Sequence, residues 1–237
     1  MILFIKFFKD RNNNTKKESE LTRPYCKKFL PQMPTRKKKC PFCQNYIFVR
    51  TLPKTKEKVL VTNEDAKKID VEWGKIQHRL NRLNKLSEVG ISEADFCKRV
   101  GKTIEEATDQ EIKDIIWSKY NELVMKYTKS NDFGVLKTLY YRMALFLDEE
   151  GKDFFQILQQ SAKMELMNFR QSKVIKKVEI LTAGENSCES CQQLAAKVFT
   201  IEEALKNMPI PNKECSFKMF EKSIRGFCRC CYNAVID

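Results

Sequence analysis

Hydrophobic residues recur at spacings of three and four from about residue 62 to residue 171, and this pattern predicts helices throughout that stretch. Thr62-Asn-Glu-Asp65 reads as a capping box, and Ala66, Ile69, Trp73, Ile76, Leu80 and Leu83 then fall on one stripe of a long amphipathic helix. Lys67, Lys68, Lys75, His78, Arg79, Arg82 and Lys85 lie mostly off that stripe. Cap chemistry at Ser92-Glu-Ala-Asp95 and again at Thr103-Ile-Glu-Glu106 predicts two shorter helices. From Asp109 a further helix presents Ile112, Ile115, Ile116, Leu123, Val124 and Tyr127 to a core. The stretch 133–147 is apolar on more than one face, which places it centrally, and Gly151 ends it. A last helix over about 152–171 offers Phe154, Phe155, Leu158, Ala162, Leu166 and Phe169.

The flanks follow a different rhythm. Residues 1–60 have little helical periodicity, but Cys40-Pro-Phe-Cys43 leads into the β-prone run Tyr46, Ile47, Phe48 and Val49. Residues 172–237 begin with a β-prone run at 174–181, turn at Ala183-Gly184, cap a short helix at Thr200 and break it at Pro209 and Pro211. The run 227–236 is expected to return as a strand. The expected fold is therefore mainly α: a helical bundle at 61–171, flanked by small cysteine-rich, zinc-binding β elements at 1–60 and 172–237. Only seven glycines and seven prolines occur, which suits helices better than a loop-rich β design.

Charge sharpens this division. The net charge is +13, and residues 1–60 hold sixteen Lys and Arg against Asp10, Glu18, Glu20 and Glu57, leaving the remainder close to neutral. So local an excess creates a positive field suited to nucleic acid or another polyanion. Arg36, Lys37, Lys38, Lys39 and Arg50 are the candidate contacts, with Phe42, Tyr46 and Phe48 beside them to stack on unpaired bases. The apolar start Met1-Ile-Leu-Phe-Ile is interrupted by Lys6, too early for a signal peptide or a membrane span, and no later stretch is long enough to cross a bilayer. A reducing cytoplasm is the expected location, with no membrane partner, and disulfides are disfavoured there.

Six of the ten cysteines lie in the last fifty residues, as Cys188-Glu-Ser-Cys191, Cys215 and Cys228-Arg-Cys230-Cys231. Thiolates two residues apart on a tight turn can face one metal, and a second group supplies the other corners of a tetrahedron, so the spacing points to structural zinc. Cys40 and Cys43 read as the first half of a zinc ribbon whose partner half is missing nearby. Together these eight cysteines would suffice for two four-thiolate sites, the second shared between the two ends of the chain. Lys37, Lys38, Lys39 and Arg229 would offset the thiolate charge or meet phosphate.

The same inventory argues against an enzyme. Zinc ringed by thiolates is closed, and a single histidine, His78, leaves a hydrolytic zinc site short of ligands. No Gly-rich phosphate loop, nucleophile elbow or His-Glu-x-x-His helix is present. Acidic runs such as Asp148-Glu149-Glu150 and Glu202-Glu203 sit at helix ends, where dipole and cap roles account for them. A metal-dependent nuclease is the remaining catalytic alternative.

The order of a β-prone run, Ala183-Gly184, Cys188-x-x-Cys191, Leu194, Lys197-Val-Phe199, a Pro-containing loop and Cys228-Arg-Cys230 resembles the cysteine-rich end of phage head morphogenesis proteins, the minor head family. That family commonly closes with His-x-x-Cys-Arg-Cys. Here the histidine position is Arg225, and Cys215 is the candidate substitute ligand. The resemblance covers about a quarter of the chain and implies a phage or mobile-element origin, capsid or portal partners and a place in the virion. The near-heptad stripe at 66–83 would also allow self-association.

Overall fold

The computed structural model describes residues 21–236. The apolar start of the chain and the first part of the basic segment lie outside the described residues. Two compact units emerge, one ending at Arg82 and the other beginning at Leu83.

The first unit is built on an antiparallel sheet of β1 (Lys38–Lys39), β2 (Tyr46–Thr51) and β3 (Lys58–Val61), in that order. In β2 the period of two turns Ile47 inward, where it packs with Leu30 and Cys40, and leaves Tyr46 exposed. The long helix α1 (Asn63–Glu88) starts directly after β3. Thr62 accepts from the Asp65 N–H at 3.1 Å, the Tyr25 hydroxyl accepts from the Asn63 N–H at 2.9 Å, and Ala66 and Ile69 are buried. Further along, Trp73 donates through Nε1 to the Thr51 carbonyl at 2.7 Å, and Arg50 grips Asp70 with two bonds of 2.7 and 2.9 Å. The helix start is thus a member of this unit. Leu80 on the expected stripe is 42% exposed, near the point where the two units divide.

In the second unit the end of α1 is followed by α2 (Glu93–Val100), α3 (Asp109–Lys129), α4 (Phe133–Glu149) and α5 (Phe155–Gln171). Their shared core includes Leu86, Phe96, Ile104, Ile112, Ile116, Leu139 and Met143. Ser92 caps α2 as expected. The box at Thr103 and Glu106 also forms, but it closes a single turn, because the complete capping box of Thr108 and Glu111 opens α3 immediately afterwards. Gly151 adopts φ +69° between α4 and α5, a conformation open to glycine without strain, and the two helices pack as an antiparallel pair.

A second antiparallel sheet has the order β5-β4-β6, where β4 is Lys177–Leu181, β5 is Val198–Thr200 and β6 is Cys231–Val235. Val178 faces Phe199 on one side and Ala234 on the other. Val178 and Ile180 are fully buried against Leu166 of α5 and Ile201 and Ala204 of α7 (Ile201–Asn207). One turn of helix, α6 (Glu189–Gln192), lies between β4 and β5. The described residues are therefore mainly helical, with a small antiparallel sheet and a group of cysteines towards each end. Among them, no helix is long and apolar enough to cross a membrane.

Candidate metal centres

In the second unit the sheet and α6 bring five sulfurs together. Cys188, the N-cap residue of α6, and Cys191, on its first turn, gather with Cys215; Cys191 gathers also with Cys228 and Cys230. The Cys188 and Cys215 sulfurs are 3.8 Å apart, and those of Cys191 and Cys228 are 3.9 Å apart. Four thiolates at about 2.3 Å from a tetrahedral zinc lie about 3.8 Å from one another. A disulfide needs about 2.0 Å, and all ten cysteines are free.

The backbone around these sulfurs is tightly constrained. Ser190 bonds to the Cys188 sulfur at 3.3 Å and donates to the Glu214 carbonyl at 2.9 Å, fastening α6 to the loop that carries Cys215. Asn212 points its amide at the Cys191 sulfur at 3.7 Å. The Phe227 N–H donates to the Phe217 carbonyl, tying the segment that bears Cys228 to the one that bears Cys215. Gly226 makes this approach possible: a Cβ there would sit 1.5 Å from the Cys215 carbonyl oxygen. Arg229 stacks on Phe217, 3.8 Å from its ring centre.

The sulfurs also constrain one another electrically. Burial raises the Cys188 thiol, but the Ser190 hydroxyl and the Ser216 and Cys191 N–H groups outweigh it and bring it down to about 6. Cys228 is lowered to about 6, chiefly by its bond with Cys230. Cys191 is pushed up to about 11 by burial, with Cys188 and the Cys228 charge adding to the effect. Burial likewise raises Cys215, and Cys228 together with burial raises Cys230. The cluster thus favours a few thiolates and resists more, a repulsion that a divalent cation among them would cancel. A space of about 20 Å³, room for one ion or water, is lined in part by Cys188, Cys191, Cys215 and Cys230.

Cys231 joins neither group. It begins β6, and burial, with the charge of Glu165, raises its thiol. Arg225 reaches Asp153 at 3.6 Å and lies over the Phe155 ring.

The first unit holds a third group, Cys26, Cys40 and Cys43, with Cys26 and Cys40 sulfurs 3.8 Å apart. The Cys43 N–H and other bonds lower Cys40 to about 7, whereas Cys43, although the Asn45 N–H favours its thiolate, is raised by burial and by its two sulfur neighbours. Cys40 to Asn45 forms a closed turn: the Cys40 N–H donates to the Asn45 carbonyl at 2.8 Å, the Gln44 N–H to the Cys40 carbonyl at 3.0 Å, and Gln44 has φ +58°. Residues 23–28 repeat this turn, with Arg23 N–H to Lys28 carbonyl at 3.0 Å, Lys27 N–H to Arg23 carbonyl at 3.0 Å and Lys27 at φ +56°. Cys26 is the ligand candidate that the spacing of cysteines missed. The shared order Pro-aromatic-Cys, Pro24-Tyr25-Cys26 against Pro41-Phe42-Cys43, is the signal that marks it.

Of the basic candidates, Lys38 and Lys39 form exposed β1, and Lys37 lies 4.2 Å from the Tyr46 ring and 4.9 Å from that of Phe48. Arg36 is exposed, while Arg50 is engaged by Asp70 and flanks Phe48. Phe42 is 58% and Tyr46 49% exposed, and Lys28 lies 4.1 Å from the Phe42 ring. The acidic runs are mostly paired: Glu149 with Lys85, Glu150 with Lys113, Glu202 with Arg170, and Glu203 in the α7 capping box. Asp148 is fully buried, and neither of its carboxylate oxygens has a hydrogen-bond partner. No family model, curated protein or solved structure matches this chain, so its family is not shown by likeness to a known protein.

Proposed function

We propose that this chain is a non-enzymatic zinc protein that contacts nucleic acid through the basic, aromatic face of its first unit. The observation that carries the metal half is the sulfur spacing: three separations of 3.8 to 3.9 Å reproduce the edge of a tetrahedral thiolate site. Soft thiolate ligands in such geometry favour zinc among the common divalent metals. In the second unit four of Cys188, Cys191, Cys215, Cys228 and Cys230 would hold the ion, clamping the loop between α7 and β6.

The nucleic-acid half is supported by Phe42 and Tyr46, large rings left open to solvent with Lys28 and Lys37 against them. Each base stacked on such a ring contributes about 1–3 kcal/mol. Lys38, Lys39 and Arg36 then supply phosphate contacts. Arg50 positions this face through Asp70 and Phe48.

Binding of a fluorescent single-stranded oligonucleotide, followed by anisotropy across a salt series, tests this reading. The fitted affinity should fall with salt, and replacing Arg36, Lys37, Lys38 and Lys39 by Ala should flatten the slope. Phe42→Ala with Tyr46→Ala should weaken binding without changing the slope. An unchanged slope in the basic variant would remove the nucleic-acid half of the proposal.

A second reading, a structural component of a phage head, is favoured by one detail. Arg225 turns to Asp153 and Phe155, and Cys215 gathers with Cys188 and Cys191, as a replacement for the missing histidine ligand would. Co-purification with capsid or portal protein would support it.

A further inference from the structure

The turns at 23–28 and 40–45 coincide position by position, which gives a meaning to Arg23. Proline follows proline, Tyr25 corresponds to Phe42 and Cys26 to Cys43, and Arg23 then corresponds to Cys40. Two such turns facing one another offer four ligand positions, two from each. Three of the four are cysteines whose sulfurs lie within 4.8 Å of one another; the fourth is Arg23, which cannot ligate a cation.

A third turn shows that the backbone shape alone is not the signal. Leu52 to Glu57 repeats both hydrogen bonds, at 2.8 and 3.0 Å, and Lys56 has φ +60°, yet Leu52 and Thr55 stand at the ligand positions. That turn serves only as the connection between β2 and β3. The turn at 23–28 differs by placing Cys26 against Cys40. Arg23 itself is 7% exposed, its Nε has no hydrogen-bond partner, and its guanidinium lies 4.8 Å from the Phe42 ring. Among the described residues no further Cys, His, Asp or Glu joins the group, and the preceding twenty residues contain neither Cys nor His.

We infer that the first unit is a two-turn zinc site in which Arg23 occupies the fourth ligand position, leaving a three-thiolate centre whose remaining vertex is filled by water. This rests on the reading of the cysteine groups as zinc centres. Three protein ligands leave one position of the zinc to solvent and supply one metal–ligand bond fewer than the four of a closed site. This centre should accordingly release zinc more readily than the cysteine cluster of the second unit.

The test uses the full reduced chain loaded with zinc, with metal counted by native mass spectrometry across a series of buffered chelator concentrations. Two zinc equivalents are expected. Cys40→Ser should remove the weaker and Cys191→Ser the tighter. Arg23→Cys should strengthen the weaker equivalent by at least about tenfold, and Arg23→His, a second way to supply a ligand without adding a thiol, should strengthen it also. Arg23→Ala should leave it unchanged. If both ligand-supplying variants hold the weaker equivalent no more tightly than the wild type, the inference is overturned. It is equally overturned if the wild type holds one equivalent, sensitive to Cys191→Ser and not to Cys40→Ser, and in that case the zinc reading of the second unit survives.

Discussion

Gly226 shows how much a single backbone position can decide. Its hydrogen takes the place where a methyl group would overlap the Cys215 carbonyl, and the same approach sets Cys215 and Cys228 beside the α6 cysteines. Gly226→Ala should therefore separate the two segments, destabilising the unit by at least about 1–3 kcal/mol, as overpacking does, and reducing its zinc content. Denaturant unfolding with a metal count on the same sample checks this. The cysteines in Cys-x-x-Cys pairs were legible in the sequence because their spacing is local. Cys26 was not, because Arg23 removes the other half of its pair and only the following Pro-aromatic-Cys order survives. Nor did the spacing separate Cys231 from Cys230. That depends on β6, where Cys231 takes up the register opposite Leu181 while Cys230 stays with the cluster.

Among the elements, the helices were the most legible, since their caps and apolar stripes are encoded within one turn. Thr103 is instructive: its box with Glu106 forms, but a second box five residues later starts α3 before the first can propagate. The strand β3 gave little signal, because Lys58–Val61 is short and acquires its meaning only by pairing with β2. The α3 cap also yields a pH prediction. Lys102, at 2.6 Å, and the Thr108 N–H and hydroxyl lower the Glu111 carboxyl to about 2. A depressed value favours the folded state above the ordinary carboxylate range, and that contribution fades as pH falls towards 2. Thermal midpoints measured from pH 5 to pH 2 should fall more steeply for the wild type than for Glu111→Gln, and added salt should narrow the difference.

For the molecule as a whole, the sequence conveyed the mainly helical character and the cysteine-rich ends, but not where the two units divide. The stripe of α1 runs unbroken across that point, and periodicity cannot report that Leu80 is exposed while Ala66 and Leu86 are buried on either side. In the second unit, the helical core around Phe96 and Ile116 contains none of the candidate ligands and the core of Val178, Ile180, Ile201 and Tyr232 meets only Cys230 among them, whereas the stretch 208–230 between α7 and β6 has little regular structure. A strong chelator should therefore abolish amide-exchange protection in 208–230 first and leave that of α3 to α5 largely intact. Equal loss across the helices would show that the metal governs folding of the entire unit.

The three look-alike turns of the first unit have one more consequence. Residues 52–57 keep the shared shape with no sulfur at all, but there the paired strands β2 and β3 hold both ends of the turn. At 23–28 and 40–45 the sulfurs are themselves interior, since Cys26, Cys40 and Cys43 pack with Leu30 and Ile47, so an ion held there would act as a rivet through the middle of the unit rather than an ornament on its rim.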